Sequence, residues 1–179
     1  LMTSATITDR LVALSRALIG RIRGGLAQVN VLVSMFFAGM NGSVVADTAT
    51  VGALVLPAMK KAGYPAAFSA AVTGVSSTIG GIIPPSIMMI VLANATEISI
   101  ASLFAAGIIP GILIGVVIMV INHYFAVKYN FERSDEPFSV RRAGKELYRS
   151  SFALLIPLVL VGSVMGGVAS VVEAGAITA

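Results

Sequence analysis

The sequence predicts an all-α integral membrane protein built on a re-entrant helical hairpin and a broken transmembrane helix. Three observations carry that expectation. Hydrophobic residues make up 57% of the chain and charged residues only 11%, at a mean hydropathy of +0.96, whereas a soluble domain carries about 25% charge. Two short breaks interrupt the apolar sequence: Ala38-Gly39-Met40-Asn41-Gly42-Ser43-Val44-Val45-Ala46-Asp47-Thr48 and Gly80-Gly81-Ile82-Ile83-Pro84-Pro85-Ser86. The basic residues fall in clusters beside hydrophobic stretches, as the positive-inside rule expects, so the net charge of +4 is no sign of nucleic-acid binding. Lipid tolerates open backbone only where protein buries it or a cavity takes it up. Paired interruptions of this kind point to a binding site at the bilayer midplane of a transporter.

Taken in order, residues 1–25 read as an amphipathic helix at a membrane surface or packed on protein. Asp9, Arg10, Arg16, Arg21 and Arg23 alternate there with Ile7, Leu11, Leu14, Leu18 and Ile22 at spacings that suit one apolar helix face. Gly24-Gly25 ends that helix. Residues 26–65 read as the re-entrant hairpin, with its limbs at 26–38 and 48–58 and its tip at 39–47. Each limb reaches about 15–20 Å at 1.5 Å per residue, short of a hydrocarbon core about 30 Å thick. Both limbs are flanked by positive charge, Arg21 and Arg23 before and Lys60-Lys61 after.

Residues 66–99 form a broken span, with the second break between apolar segments 66–79 and 87–93 and a polar turn at Asn94–Ser99. Residues 100–129 form a long transmembrane helix, bent at Pro110-Gly111. Residues 130–149 are a polar cytoplasmic loop with Arg133, Arg141, Arg142 and Lys145, and residues 150–179 begin another span containing Pro157. With the hairpin returning to its own side, every basic cluster falls in the cytoplasm and Glu97 falls outside. The chain starts at Leu1 and stops in mid-pattern at Ala179, and is expected to be a fragment of a longer membrane protein.

The breaks carry the chemistry. Unwound backbone at membrane depth offers carbonyls to Na+ and helix N-termini to anions. Asn41 and Ser43 supply oxygens at the first tip, or simply cap the next helix. Pro84 and Pro85 remove two N–H donors, which leaves the Gly80–Ile83 carbonyls free for a cation unless the pair is an ordinary kink. Ser86 caps the helix that follows. Asp47 is the one acid in the body of the hairpin, a functional residue or a helix N-terminal charge. Gly42, Asp47 and Ser86 are the candidates for substrate contact. The small residues of 66–80 are read as helix-packing contacts. There is no cysteine, and His123, in a long apolar helix, is read as structural. No G-x-S-x-G, P-loop lysine motif or His/Cys cluster occurs, so no enzyme is expected.

The run Arg10-Leu11-Val12, Gly24-Gly25-Leu26-Ala27, Val29-Asn30-Val31 and Asn41-Gly42-Ser43 with Ala46-Asp47 resembles the large membrane subunit of tripartite ATP-independent periplasmic (TRAP) transporters. So do Pro57-Ala58-Met59 with Gly63-Tyr64, Gly80 through Pro84-Pro85-Ser86, Ser99-Ile100 with Leu103-Phe104 and Gly107, and Pro110-Gly111. The closing Gly167 to Glu173-Ala174 resembles the start of that family's second repeat. Asn41 departs from the serine that the family often has, and keeps an oxygen.

The resemblance implies one repeat of an elevator-type inverted-repeat transporter in the bacterial inner membrane. That transporter takes up organic acids with Na+, beside a small membrane subunit and a periplasmic substrate-binding protein. It also implies a Na+ site of Asn41, Ser43, Gly80, Ile83 and Pro85, largely through carbonyls, and a second Na+ site in the other repeat. The alternatives are a Na+-coupled elevator-type anion symporter without a binding protein, and a structural membrane subunit without an ion site.

Overall fold

A computed structural model describes residues 2–19, 22–131, 140–168 and 173, and the described residues contain helices and no strand. The helices are α1 (Met2–Ile19), α2 (Gly25–Asn41), α3 (Val44–Lys61), α4 (Ala66–Ser77), α5 (Ile87–Thr96), α6 (Ile100–Lys128) and α7 (Val140–Met165), with a 3-10 turn at Thr78–Gly81 after α4. Of these, α6 alone is long and apolar enough throughout to cross a membrane.

The first break is narrower than 39–47. The α2 helix runs to Asn41 and α3 starts at Val44, so only Gly42 and Ser43 lie between them. Local groups explain the extension. The Gly42 N–H donates to the Ala38 carbonyl, Ser43 Oγ accepts from the Ala46 N–H, and Thr48 Oγ1 donates to the Val44 carbonyl. The second break is wider. The 3-10 turn tightens the end of α4, and irregular backbone continues to Ser86, whose hydroxyl caps α5 by accepting from Met89 N–H. The Pro84–Pro85 bond is cis.

Two boundaries differ from the sequence reading. The α5 helix continues to Thr96 before Glu97 turns the chain in the left-handed region. The α7 helix begins at Val140, so residues 140–149, expected within a polar loop, are helical. The basic side chains there alternate with Val140, Leu147 and Tyr148, a pattern one helix face can hold as well as a loop can. The expected loop residues 132–139 and the start of a second repeat at 169–179, apart from Glu173, lie outside the described residues.

The core is formed where α2 is wrapped by its neighbours. Val29, Val31, Val33, Phe37 and Ala38 of α2 pack with Leu11 of α1, Val51, Val55 and Met59 of α3, Val72 of α4 and Ile118 of α6. The contact between α2 and α4 is polar at its centre. Asn30 Nδ2 donates to Thr73 Oγ1 at 2.7 Å, Ser76 Oγ donates to Asn30 Oδ1 at 3.2 Å, and Ser34 Oγ reaches Ser76 Oγ at 3.3 Å. All four side chains are shut off from solvent. Ser76 is one of the small residues expected only to pack, and here it joins Asn30, Ser34 and Thr73 in bolting the hairpin to the broken helix. Gln28 adds a bond to α6, donating from Nε2 to the Met119 carbonyl at 2.8 Å.

The α6 helix measures depth for the rest. Gly24, which precedes α2, sits against Ala126; Met35 sits against Gly115; Ile83 of the second break against Gly111; and Ile82 and Met89 against Gly107. At 1.5 Å per residue the second break is therefore about 22 Å along α6 from Ala126 and about 16 Å from Ile100. Near Ala126 an aromatic floor joins the turn after α3 to the end of α6. Tyr64 and Phe131 have ring centroids 4.6 Å apart, Phe68 and Phe131 5.1 Å, and Lys128 lies 5.8 Å over Tyr129. The start of α2, the end of α3 and the end of α6 thus share one end of the bundle. The α7 helix climbs from that end past Gly39, which faces Pro157, to Phe104, where Val164 and Leu160 pack.

Candidate functional site

The two breaks meet. Gly42 adopts φ 56, and a Cβ there would lie 2.5 Å from the Pro85 carbonyl oxygen, 3.0 Å from the Ile87 nitrogen and 3.1 Å from the Ser86 Cα. Only glycine permits both the left-handed backbone and so close an approach. The contact is closed by a hydrogen bond from Ile87 N–H to the Gly42 carbonyl at 3.1 Å. Gly80 stands on the other side: a Cβ there would be 3.8 Å from the Ser43 carbonyl oxygen and 3.9 Å from Asp47 Cβ.

The structure thus brings Gly42, Ser43, Asp47, Gly80, Pro85 and Ser86 into one locus. Asn41 ends α2 immediately before it; its side chain lies outside the described residues. Ile83 turns to Gly111 of α6 at the same level.

The backbone and hydroxyl groups at this locus are partly committed. Ser43 Oγ caps α3, and its carbonyl accepts from Asp47 N–H at 3.0 Å. Ser86 is fully buried; its hydroxyl donates to the Gly81 carbonyl at 2.9 Å besides capping α5. Gly81 was expected to present a free carbonyl and does not, because Ser86 supplies the donor that the following prolines withhold. The Ile79 carbonyl accepts from both Ile82 and Ile83 N–H. The N-termini of α3 and α5 converge here, and the face around them is open: Val45 is 79% exposed and Met88 66%. Such a convergence of positive helix ends favours an anion.

Asp47 points the other way. It has no solvent exposure, and the Ser34 and Ser77 hydroxyls lie beside its carboxyl. Sequence reasoning singled out Asp47 but neither serine, because nothing in the spacing of Ser34 and Ser77 says which helix they face.

All 179 residues match the family model described as "Tripartite ATP-independent periplasmic transporter, DctM component". The chain is similar, at 36% identity over 99% of its length and 42% of the relative's, to the C4-dicarboxylate TRAP transporter large permease protein DctM of Pseudomonas aeruginosa. It is 37% identical to the sialic acid TRAP transporter permease protein SiaT of Haemophilus influenzae, over 100% of this chain and 29% of the relative. It is 32% identical to the isethionate TRAP transporter permease protein DctMQ of Oleidesulfovibrio alaskensis, over 99% of this chain and 28% of the relative. The chain spans less than half the length of each of these curated relatives.

Proposed function

The chain belongs to the DctM component family of tripartite ATP-independent periplasmic transporters, and on that premise we propose that it forms part of a large permease subunit that carries organic acid anions into bacteria with Na+. The relatives named for C4-dicarboxylate, sialic acid and isethionate support the class of substrate and leave its identity open. Those relatives are permease proteins, and the chain is a membrane transport component, not an enzyme.

The observation that carries the proposal is the seating of Gly42 on Pro85–Ile87 about midway along α6. Two helices interrupted at one depth, in contact, form a locus that a transporter needs and a packed scaffold does not. In this reading α2 and α3 are a re-entrant hairpin in the inner membrane. Oxygens of Asn41 and Ser43 and the carbonyls of Gly80, Ile83 and Pro85 hold Na+ there. The anion lies at the open N-termini of α3 and α5, near Gly42 and Ser86, with the bound Na+ offsetting its charge. Asp47 is on the enclosed side, where an acid does not oppose the substrate. The repeat moves as an elevator, braced by a small membrane subunit and fed by a periplasmic substrate-binding protein. The name DctMQ of the isethionate relative fits a small subunit fused to the large one in that protein.

The test is uptake by the intact permease with its binding protein in proteoliposomes, using labelled C4-dicarboxylate and sialic acid. Uptake is expected to require an inward Na+ gradient and the binding protein, and Asn41→Ala with Ser43→Ala to raise the Na+ concentration needed for half-maximal uptake. Na+-independent uptake would remove the coupling. Full uptake without the binding protein would favour a symporter that takes its anion directly from solution.

A further inference from the structure

Gly39 lies one turn before Gly42 at the end of α2 and is buried. A Cβ there would lie 2.9 Å from Pro157 Cβ and 3.3 Å from Pro157 Cγ on α7, with the Pro84 carbonyl oxygen 3.9 Å away. Three elements therefore meet at one glycine: the last turn of α2, the second break and the middle of α7. Pro157 has no part in the ion or anion contacts described above.

The contact is rigid on both sides. Glycine has no side chain to move, and a proline ring is tied to its own backbone and loses no rotamer freedom on burial. Neither partner can turn aside, so the position of α7 is passed directly to the backbone of α2. Asn41 and Ser43 follow Gly39 in the chain, and Pro85 follows Pro84; these residues carry oxygens assigned to Na+ on either side of the contact. Among the described elements α7 packs on α1, α2 and α6, and Val164 and Leu160 fix its far end at Phe104. The stability of α7 itself disfavours a proline in its interior, which lacks a donor and crowds the preceding turn. The ring of Pro157 instead fills the notch at Gly39.

We propose that Pro157 is a positioning residue for the ion site: its ring, seated at Gly39, holds the last turn of α2 in register with the Pro84–Pro85 carbonyls. The proposal rests on the Na+-coupled reading for the identity of the ion. Pro157 touches neither ion nor substrate and acts through the oxygens that do.

The experiment is equilibrium binding of radioactive Na+ to the purified intact permease, with Na+-free thermal unfolding read in parallel, in Gly39→Ala, Pro157→Gly and the double variant. Glycine is tolerated better than proline in a helix interior, so Pro157→Gly is expected to hold the Na+-free melting temperature and yet to weaken one bound Na+ about tenfold. Gly39→Ala drives a methyl against the ring and is expected to weaken the same ion by a similar factor. In the double variant a methyl on α2 stands in for the ring on α7, and affinity is expected to recover to within about threefold of wild type. Val164→Ala, at the far contact of α7, is expected to lower the melting temperature and leave Na+ affinity unchanged. Wild-type affinity in both single variants overturns the proposal. So does a double variant as weak as the product of the two singles, which would mean that the residues act apart. An equal loss in Val164→Ala overturns it too, because the effect would then be one of general stability. Should Gly39→Ala fail to assemble, wild-type affinity in Pro157→Gly is enough to overturn it. No Na+ binding in any form brings down the Na+-coupled reading as well; binding that every variant leaves intact defeats this inference alone.

Discussion

At Gly42 one missing Cβ allows two helix breaks to touch. Its φ of 56 and the Pro85 carbonyl beside it both exclude a side chain. Gly42→Ala is expected to cost about 1–2 kcal/mol from the left-handed backbone and to push the hairpin off the second break, so uptake should fall by more than the drop in melting temperature explains. Parallel melting and uptake measurements at matched protein level check this. Asn30 tests a different bond. Asn30→Ala strips partners from buried Thr73 and Ser76 and should destabilise the permease by about 1–3 kcal/mol, read as a lowered melting temperature that Na+ does not fully restore. Gly42 stood out in the sequence because glycine beside Asn and Ser in an apolar run has few uses. The role of Asn30 did not, since a polar residue in a helix declares its need for a partner without naming it.

Among the elements, the broken helix is held open by more than its prolines. Alanine at 85 would restore a donor for the carbonyl one turn earlier, at Gly81, yet that carbonyl already accepts from Ser86 Oγ at 2.9 Å. Pro85→Ala is therefore expected to give a graded rise in the Na+ concentration needed for uptake, and the Pro84/Pro85 double alanine a larger one, with expression and Na+-free stability held or raised. Na+ titrations of uptake in both variants check the order. The positions of the breaks were legible because Gly, Pro and small polar residues interrupt apolar runs there. Their widths were not. Ser43, Thr48 and the 3-10 turn decide those through hydrogen bonds that composition does not express. The start of α7 at Val140 was hidden for a related reason: a basic amphipathic helix and a basic loop share a composition.

Across the whole molecule, the clustering of Arg and Lys anticipates a common side for the first helix, the Lys60-Lys61 turn and the segment from Lys128 onward. The structure gathers Gly24, Tyr64, Ala126 and Phe131 at one end of the bundle. What the sequence could not convey is which residues of α6 lie level with the breaks. Only the pairing of Met35 with Gly115 and Ile83 with Gly111 sets the breaks partway along α6. The central claim, a hairpin that enters and leaves on one side with its tip on a broken helix, is tested most directly by single cysteines in the intact permease. This chain has no cysteine of its own to interfere. Arg23, Lys61 and Glu97 are exposed, and each is replaced by cysteine and labelled with a membrane-impermeant maleimide in right-side-out and inside-out vesicles. The account predicts that positions 23 and 61 label only from the cytoplasmic face and position 97 only from the periplasmic face; labelling of 23 and 61 from opposite faces would contradict it.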